Sequence, residues 1–203
     1  MSIVKLNNRS VKDITAFGSI TSLGSLTHIA TQTASSSSSI NFTSGIDSTY
    51  KEYIFYFVNM HPATDNVKFQ FQGNTAGGSG FNETMTTTSF GAGNHESNGF
   101  TIFGYEDSAD QAQGTSFQNL TANSSLGNDN DQCLSGYFHL FNPSSTTFVK
   151  HFMIATQYTS SSNYQISDFI AGYFNTTSAI DEIQFKMSSG NVDAGDICLY
   201  GIN

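Results

Sequence analysis

The side chains able to do chemistry in this chain are few and scattered. Five histidines, His28, His61, His95, His139 and His151, are the candidates for acid–base or metal chemistry. His139 and His151 fall in expected strands beside Phe138, Phe141, Phe148 and Phe152, the setting of a satisfied core or cross-strand residue rather than of a catalytic base. His61 precedes Pro62 and reads as a turn, and His95 stands beside Glu96 in a loop, where two adjacent ligands cannot define a metal site. Glu106-Asp107, Asp129 with Asp131, and Asp181-Glu182 are the candidate carboxylate pairs for glycoside hydrolysis, which needs two carboxyl groups about 5–10 Å apart. Successive strand residues point to opposite faces, so Asp181 and Glu182 are not expected to converge. The chain has no Trp, the commonest sugar-stacking platform, although Tyr can substitute. The densest group of oxygen ligands is Gly127-Asn128-Asp129-Asn130-Asp131, which makes Asp129 and Asp131 the candidate calcium ligands. That loop lacks the Gly and the bidentate Glu of an EF-hand, and an Asx-turn ahead of a strand near Leu134 is the plainer reading. No nucleophile elbow, zinc-protease helix, phosphate loop or dinucleotide fingerprint is present, so the expectation is a non-enzyme without a cofactor.

Composition says what kind of scaffold holds these groups. Only 11% of the 203 residues are charged, so the surface must be built from Ser, Thr, Asn, Gln and Gly. These residues favour turns over helices. The 18 Phe and 9 Tyr supply a core, at about 1.5–3 kcal/mol for each fully buried Phe. A formal charge of −9 argues against nucleic acid, which needs a basic stripe, and against an anionic membrane surface. Lys5, Arg9, Lys12 and Asp13 break every apolar run near the start, so neither a signal peptide nor a membrane span is expected there. Cys133 and Cys198 stand in no metal-binding pattern and are read as two buried free thiols, with a disulfide as the alternative.

Hydrophobic patterning predicts about eleven strands, at 27–32, 39–42, 52–59, 67–72, 81–88, 101–105, 134–141, 147–157, 165–174, 180–187 and 196–201. Val67-Lys-Phe-Gln-Phe-Gln72 alternates as a half-buried strand does, whereas Tyr53–Val58 is apolar throughout, as in a strand covered on both faces. The nearest helical candidate, Asp107–Gln113, is stopped by Gly114. Ser188–Asn191 reads as a tight turn that pairs the last two strands. These elements predict an all-β antiparallel β-sandwich of jelly-roll type over residues 26–203, preceded by a short extended N-terminal arm over residues 1–25. In the arm, Lys5, Arg9 and Lys12 hold three of the chain's 7 basic residues, which suggests an anchor; a frayed terminus is the alternative. Gly91–Gly99 and Gln111–Asp131 read as long polar loops, and Asn94, His95, Glu96, Asn123 and Asn128 in them are the candidate surface-binding residues.

Three segments carry a resemblance: Ser2–Asp13, Ile46–Tyr53 with His61–Asn66, and Phe185–Ile202. Together they resemble small virion structural proteins of tailed bacteriophages, particularly marine phages of cyanobacteria and related hosts. The resemblance implies a place on the virion, in the tail, its appendages or the capsid exterior, and it transfers no catalytic residue. Other virion proteins are then the expected partners, with a homo-oligomer, a trimer first, as the expected state. A carbohydrate-binding module that adsorbs to a host cell-surface glycan and a capsid decoration protein are the alternative functions.

Overall fold

The computed structural model describes residues 26–202. The arm, with Lys5, Arg9 and Lys12, lies outside the described residues. Thirteen strands follow in chain order. They are β1 (Leu26–Thr33), β2 (Ile40–Phe42), β3 (Glu52–Pro62), β4 (Phe69–Thr75), β5 (Met85–His95), β6 (Thr101–Tyr105) and β7 (Ala112–Gly114), then β8 (Gln118–Asn119), β9 (Leu134–Phe141), β10 (Lys150–Thr159), β11 (Tyr164–Phe174), β12 (Ile180–Met187) and β13 (Val192–Ile202). All pairings are antiparallel. A nine-stranded sheet runs β1-β13-β3-β9-β10-β11-β5-β6, with β7 also on β5, and a four-stranded sheet runs β2-β12-β4-β8. The two pack as the expected sandwich.

Phenylalanine rings lock the sheets together. Phe185 on β12 has its ring within 6.4 Å of those of Phe42, Phe55, Phe57, Phe69, Phe71 and Phe138, of which Phe55, Phe57 and Phe138 come from the large sheet. Phe71 on β4 reaches Phe138 at 4.7 Å and Phe152 at 5.3 Å. Apart from the stacked Phe69–Phe185 pair, these are edge-to-face and tilted contacts, arrangements that aromatic quadrupoles favour.

Several elements depart from the sequence reading. β5 starts at Met85, four residues after the expected 81, and runs on to His95, taking in most of the supposed loop Gly91–Gly99. Glycine permits this: a Cβ at Gly91 would collide with Asn123 and Asp168 beneath it. His61 lies in β3, not in a turn. Asp107–Gln113 forms only the 3-10 turn Asp107–Ala109. The last two strands do not pair; Ser188–Asn191 carries the chain from β12 in the small sheet to β13 in the large one. Cys133 and Cys198 are free and half-buried rather than buried.

The largest departure is residues 111–131. They contain β7 and β8, and Gln118, Leu120, Thr121, Ala122 and Leu126 are buried. The segment is a strap rather than an exposed loop, and charged residues clamp it from both sheets. From the stretch entering β4, the Lys68 ammonium donates to the carbonyls of Thr121 (2.9 Å) and Ala122 (3.1 Å), and burial holds its pKa below the ordinary lysine value. From β11, the fully buried Asp168 accepts hydrogen bonds from the Asn123 backbone N–H (3.1 Å), the Asn123 side-chain amide and the Tyr158 hydroxyl (2.9 Å). Burial, reinforced by the Asp168 charge, pushes the Tyr158 phenol well above its ordinary pKa. At the other end of β10 the buried Lys150 ammonium ties down two loops by donating to the carbonyls of Phe148 (2.8 Å) and Thr176 (3.0 Å).

Candidate functional site

Among the described residues the small sheet and the strap cover one face of the nine-stranded sheet and leave the other bare. Cross-strand register fixes what that bare face displays. Thr31, Cys198, Tyr56, Tyr137, Ala155, Phe169, Phe90 and Tyr105 are successive partners across the eight strands from β1 to β6. One row therefore brings five aromatic side chains from five strands to the same surface, and each is exposed. Apolar positions buried in a strand alternate with exposed ones, so aromatics of opposite parity to the core residues must come out on this side.

Ala155 interrupts the row. Its methyl leaves a depression of about 300 Å³ walled by Tyr137 and Phe169 and bordered by Ser135, Gln157 and Ser167. The same two rings wall a second hollow of about 140 Å³, towards Met153 and Ala171. Phe90 stacks on Phe169 with centroids 5.3 Å apart and planes 16° from parallel, which buttresses one face of the Phe169 ring. Towards the end of β10 the depression continues into a polar hollow of about 310 Å³ lined by Gln157, Thr159, Gln165 and Asp131.

The strand ends give the face a direction. Leu26, where the arm joins, pairs with Ile202, which pairs with Glu52, and Glu52 pairs with Phe141. The end of β5 with Asn94 and His95, and the loops with Glu96, with Asn128, Asp129 and Asp131, and with Ser160–Asn163, all lie at the opposite end. There the Glu96 N–H donates to Asn163 O (3.0 Å) and the Gln132 amide to Asn163 Oδ1 (3.0 Å). The Asn128 amide reaches Ala63 O at 3.5 Å. His95 Nδ1 bonds Ser97 at 2.8 Å, and its ring lies edge-on to Tyr164. Asn123 stands apart from this cluster, with its side-chain amide bound to Asp168 within the clamp.

The carboxylates and histidines assemble differently. Among the described residues no three His, Cys, Asp or Glu side chains gather where they could hold a metal ion, Asp129 and Asp131 included. His139 bonds Glu52 at 2.9 Å, and His61 lies 3.8 Å from Asp193. The pairing of β12 with β4 slips between Ile180 and Glu182, so the strict alternation expected to separate Asp181 from Glu182 does not hold there. Burial, and after it the charge of Glu182, raises the Asp181 pKa, while the Glu182 carboxylate accepts a hydrogen bond from Asn74 (2.8 Å). No helix among the described residues is long and apolar enough to cross a membrane.

Comparison with protein-family models, with curated proteins and with solved structures finds no match. The site therefore has to be read from its own geometry. Sequence reading looked for binding groups in the loops and missed Tyr137, Ala155 and Phe169. The available signal was parity: in 151–159 the residues out of phase with Phe152 and Ile154 are His151, Met153, Ala155, Gln157 and Thr159.

Proposed function

We propose that this chain is a non-enzymatic structural component of a tailed-phage particle, a tail or tail-appendage piece anchored by its basic arm with its far end turned outward. The observation that carries the reading is the direction of the large sheet, with Leu26 at one end and the polar loops around Asn94, Asn128 and Asn163 at the other. A sheet of nine strands backed by an interlocked aromatic core is a stiff spacer between an anchor and a presenting end. The likeness of Ser2–Asp13, Ile46–Tyr53 and Phe185–Ile202 to phage virion proteins supports the particle as the location. The charge of −9 weighs against nucleic acid as a partner. Other virion proteins, with further copies of the chain as a symmetric trimer, are the proposed partners.

Gold labelling of the tagged protein on intact virions, combined with deletion of residues 1–20, tests this. The expected result is label on the tail and a truncated protein that keeps its strand content but fails to enter particles. Label spread over the head would replace the reading with that of a capsid decoration protein. Normal incorporation of the truncated chain would remove the anchoring role.

A further inference from the structure

The centre of the bare face is a slot with aromatic walls and a small floor. β9 and β11 flank β10, so two strand spacings set the backbones of Tyr137 and Phe169 about 9.6 Å apart across Ala155. A flat ring sandwiched between them would need only about 7–8 Å, two carbon contacts of 3.5–4.0 Å. A puckered ring bearing hydroxyl groups is thicker and fits that span better. Phe90 already stacks on one face of Phe169, which leaves the other face to front the slot.

The polar groups around the slot suit the same ligand. Ser135, Gln157 and Ser167 at its edge offer hydroxyls and an amide, which can donate and accept at once. From there the groove follows β10 through Thr159 and Gln165 towards the distal loops, and in the other direction past Met153 to His151. From His151 to Thr159 it measures about 27 Å, the rise of eight strand residues. Across β9, β10, β11 and β5 the outward residues from Thr88 to Gln165 include no Lys, Arg, Asp or Glu, on a chain whose net charge is −9. Asp131 lines only the distal hollow, so an ionic ligand would find no counter-charge at the slot itself. Between the apolar hollow at Met153 and Ala171 and the polar one at Gln157 and Gln165, the slot offers rings on two sides and hydroxyls and an amide at its edge, the mixture that a sugar ring requires.

We infer that this groove binds a neutral linear glycan, with one pyranose ring held over Ala155 between Tyr137 and Phe169. The inference deepens the proposed function by naming what the outward component touches, and it rests on that reading only for the source of the glycan. The full chain is titrated with maltoheptaose, cellohexaose and mannohexaose, and backbone amide shifts are followed by NMR. At least one oligosaccharide is expected to bind, with shifts centred on Tyr137, Ala155 and Phe169. Ala155→Leu, which fills the slot from a half-buried position outside the core, is expected to weaken binding at least tenfold while leaving the melting temperature within a few degrees. Phe169→Ala should weaken binding likewise, and Thr177→Ala in the exposed turn between β11 and β12 should not. Absence of binding to all three sugars, or undiminished binding by Ala155→Leu, would overturn the inference. So would self-association of the wild-type chain in sedimentation that Ala155→Leu abolishes, which would assign the face to a second copy. None of these results depends on where labelled protein sits on a particle, so the glycan site and the virion role fail separately.

Discussion

Replacing Asp168 with alanine should unfasten the strap. The carboxylate is fully buried and accepts from three donors: the Asn123 N–H, the Asn123 amide and the Tyr158 hydroxyl. After substitution Tyr158 can still turn to the Ser124 carbonyl at 3.1 Å, but both Asn123 donors lose their acceptor. A buried donor left unsatisfied costs about 1–3 kcal/mol, so two cost roughly 2–6 kcal/mol, and about 3.5 kcal/mol, a little below the midpoint, for donors that are only part-buried. Set against a total stability of about 5–15 kcal/mol, that is a large fraction. For a chain of this size it corresponds to a fall in Tm of roughly 7–14 °C. Urea unfolding followed by far-UV circular dichroism and tyrosine fluorescence measures it, and a cycle with Asn123→Ala isolates the pair. The expected coupling between the two sites is about 1–3 kcal/mol. A loss below about 1 kcal/mol for Asp168→Ala, or full additivity with Asn123→Ala, would refute the clamp.

Four further outcomes follow from the same packing. Gly91→Ala pushes a methyl into Asn123 and Asp168 and should reproduce most of the Asp168→Ala loss, with amide-exchange protection falling selectively over 119–126. Phe185→Ala empties the point where six rings meet and should cost about 3–5 kcal/mol in urea unfolding, more than any single substitution on the bare face. Burial holds Lys150 below the ordinary lysine pKa of 10.5, so between its lowered value and 10.5 the unfolded chain binds more protons and stability rises with pH. Unfolding midpoints taken across that window should climb less for Lys150→Met than for the wild type. For Tyr158 the sign reverses: its pKa is raised above 10.0, so its contribution is complete below pH 10.0 and is lost as pH rises further, and Tyr158→Phe should flatten that decline.

The fold class was legible because period-2 patterning and turn residues are local properties. Thr101–Tyr105, Leu134–Phe141 and Ile180–Met187 have the bounds the pattern predicts. Where the reading failed, the missing information lay elsewhere in the chain. Gly91 and Gly93 look like loop residues until β11 is laid beside them, and Gln111–Asp131 looks like an exposed polar loop until Lys68 and Asp168 supply its partners. Polar residues can be interior when their hydrogen bonds close, and closure depends on residues 45 or more positions away.

The site divides in the same way. Alternation alone was enough to turn Tyr137, Ala155 and Phe169 away from the core, because each lies out of phase with Phe138, Ile154 and Ile170. Their meeting in one row was decided by tertiary structure, since register between strands is a property of pairs and a slip of one residue would send every side chain to the other face. So was the bareness of that face, which follows from the small sheet and the strap both choosing the opposite side.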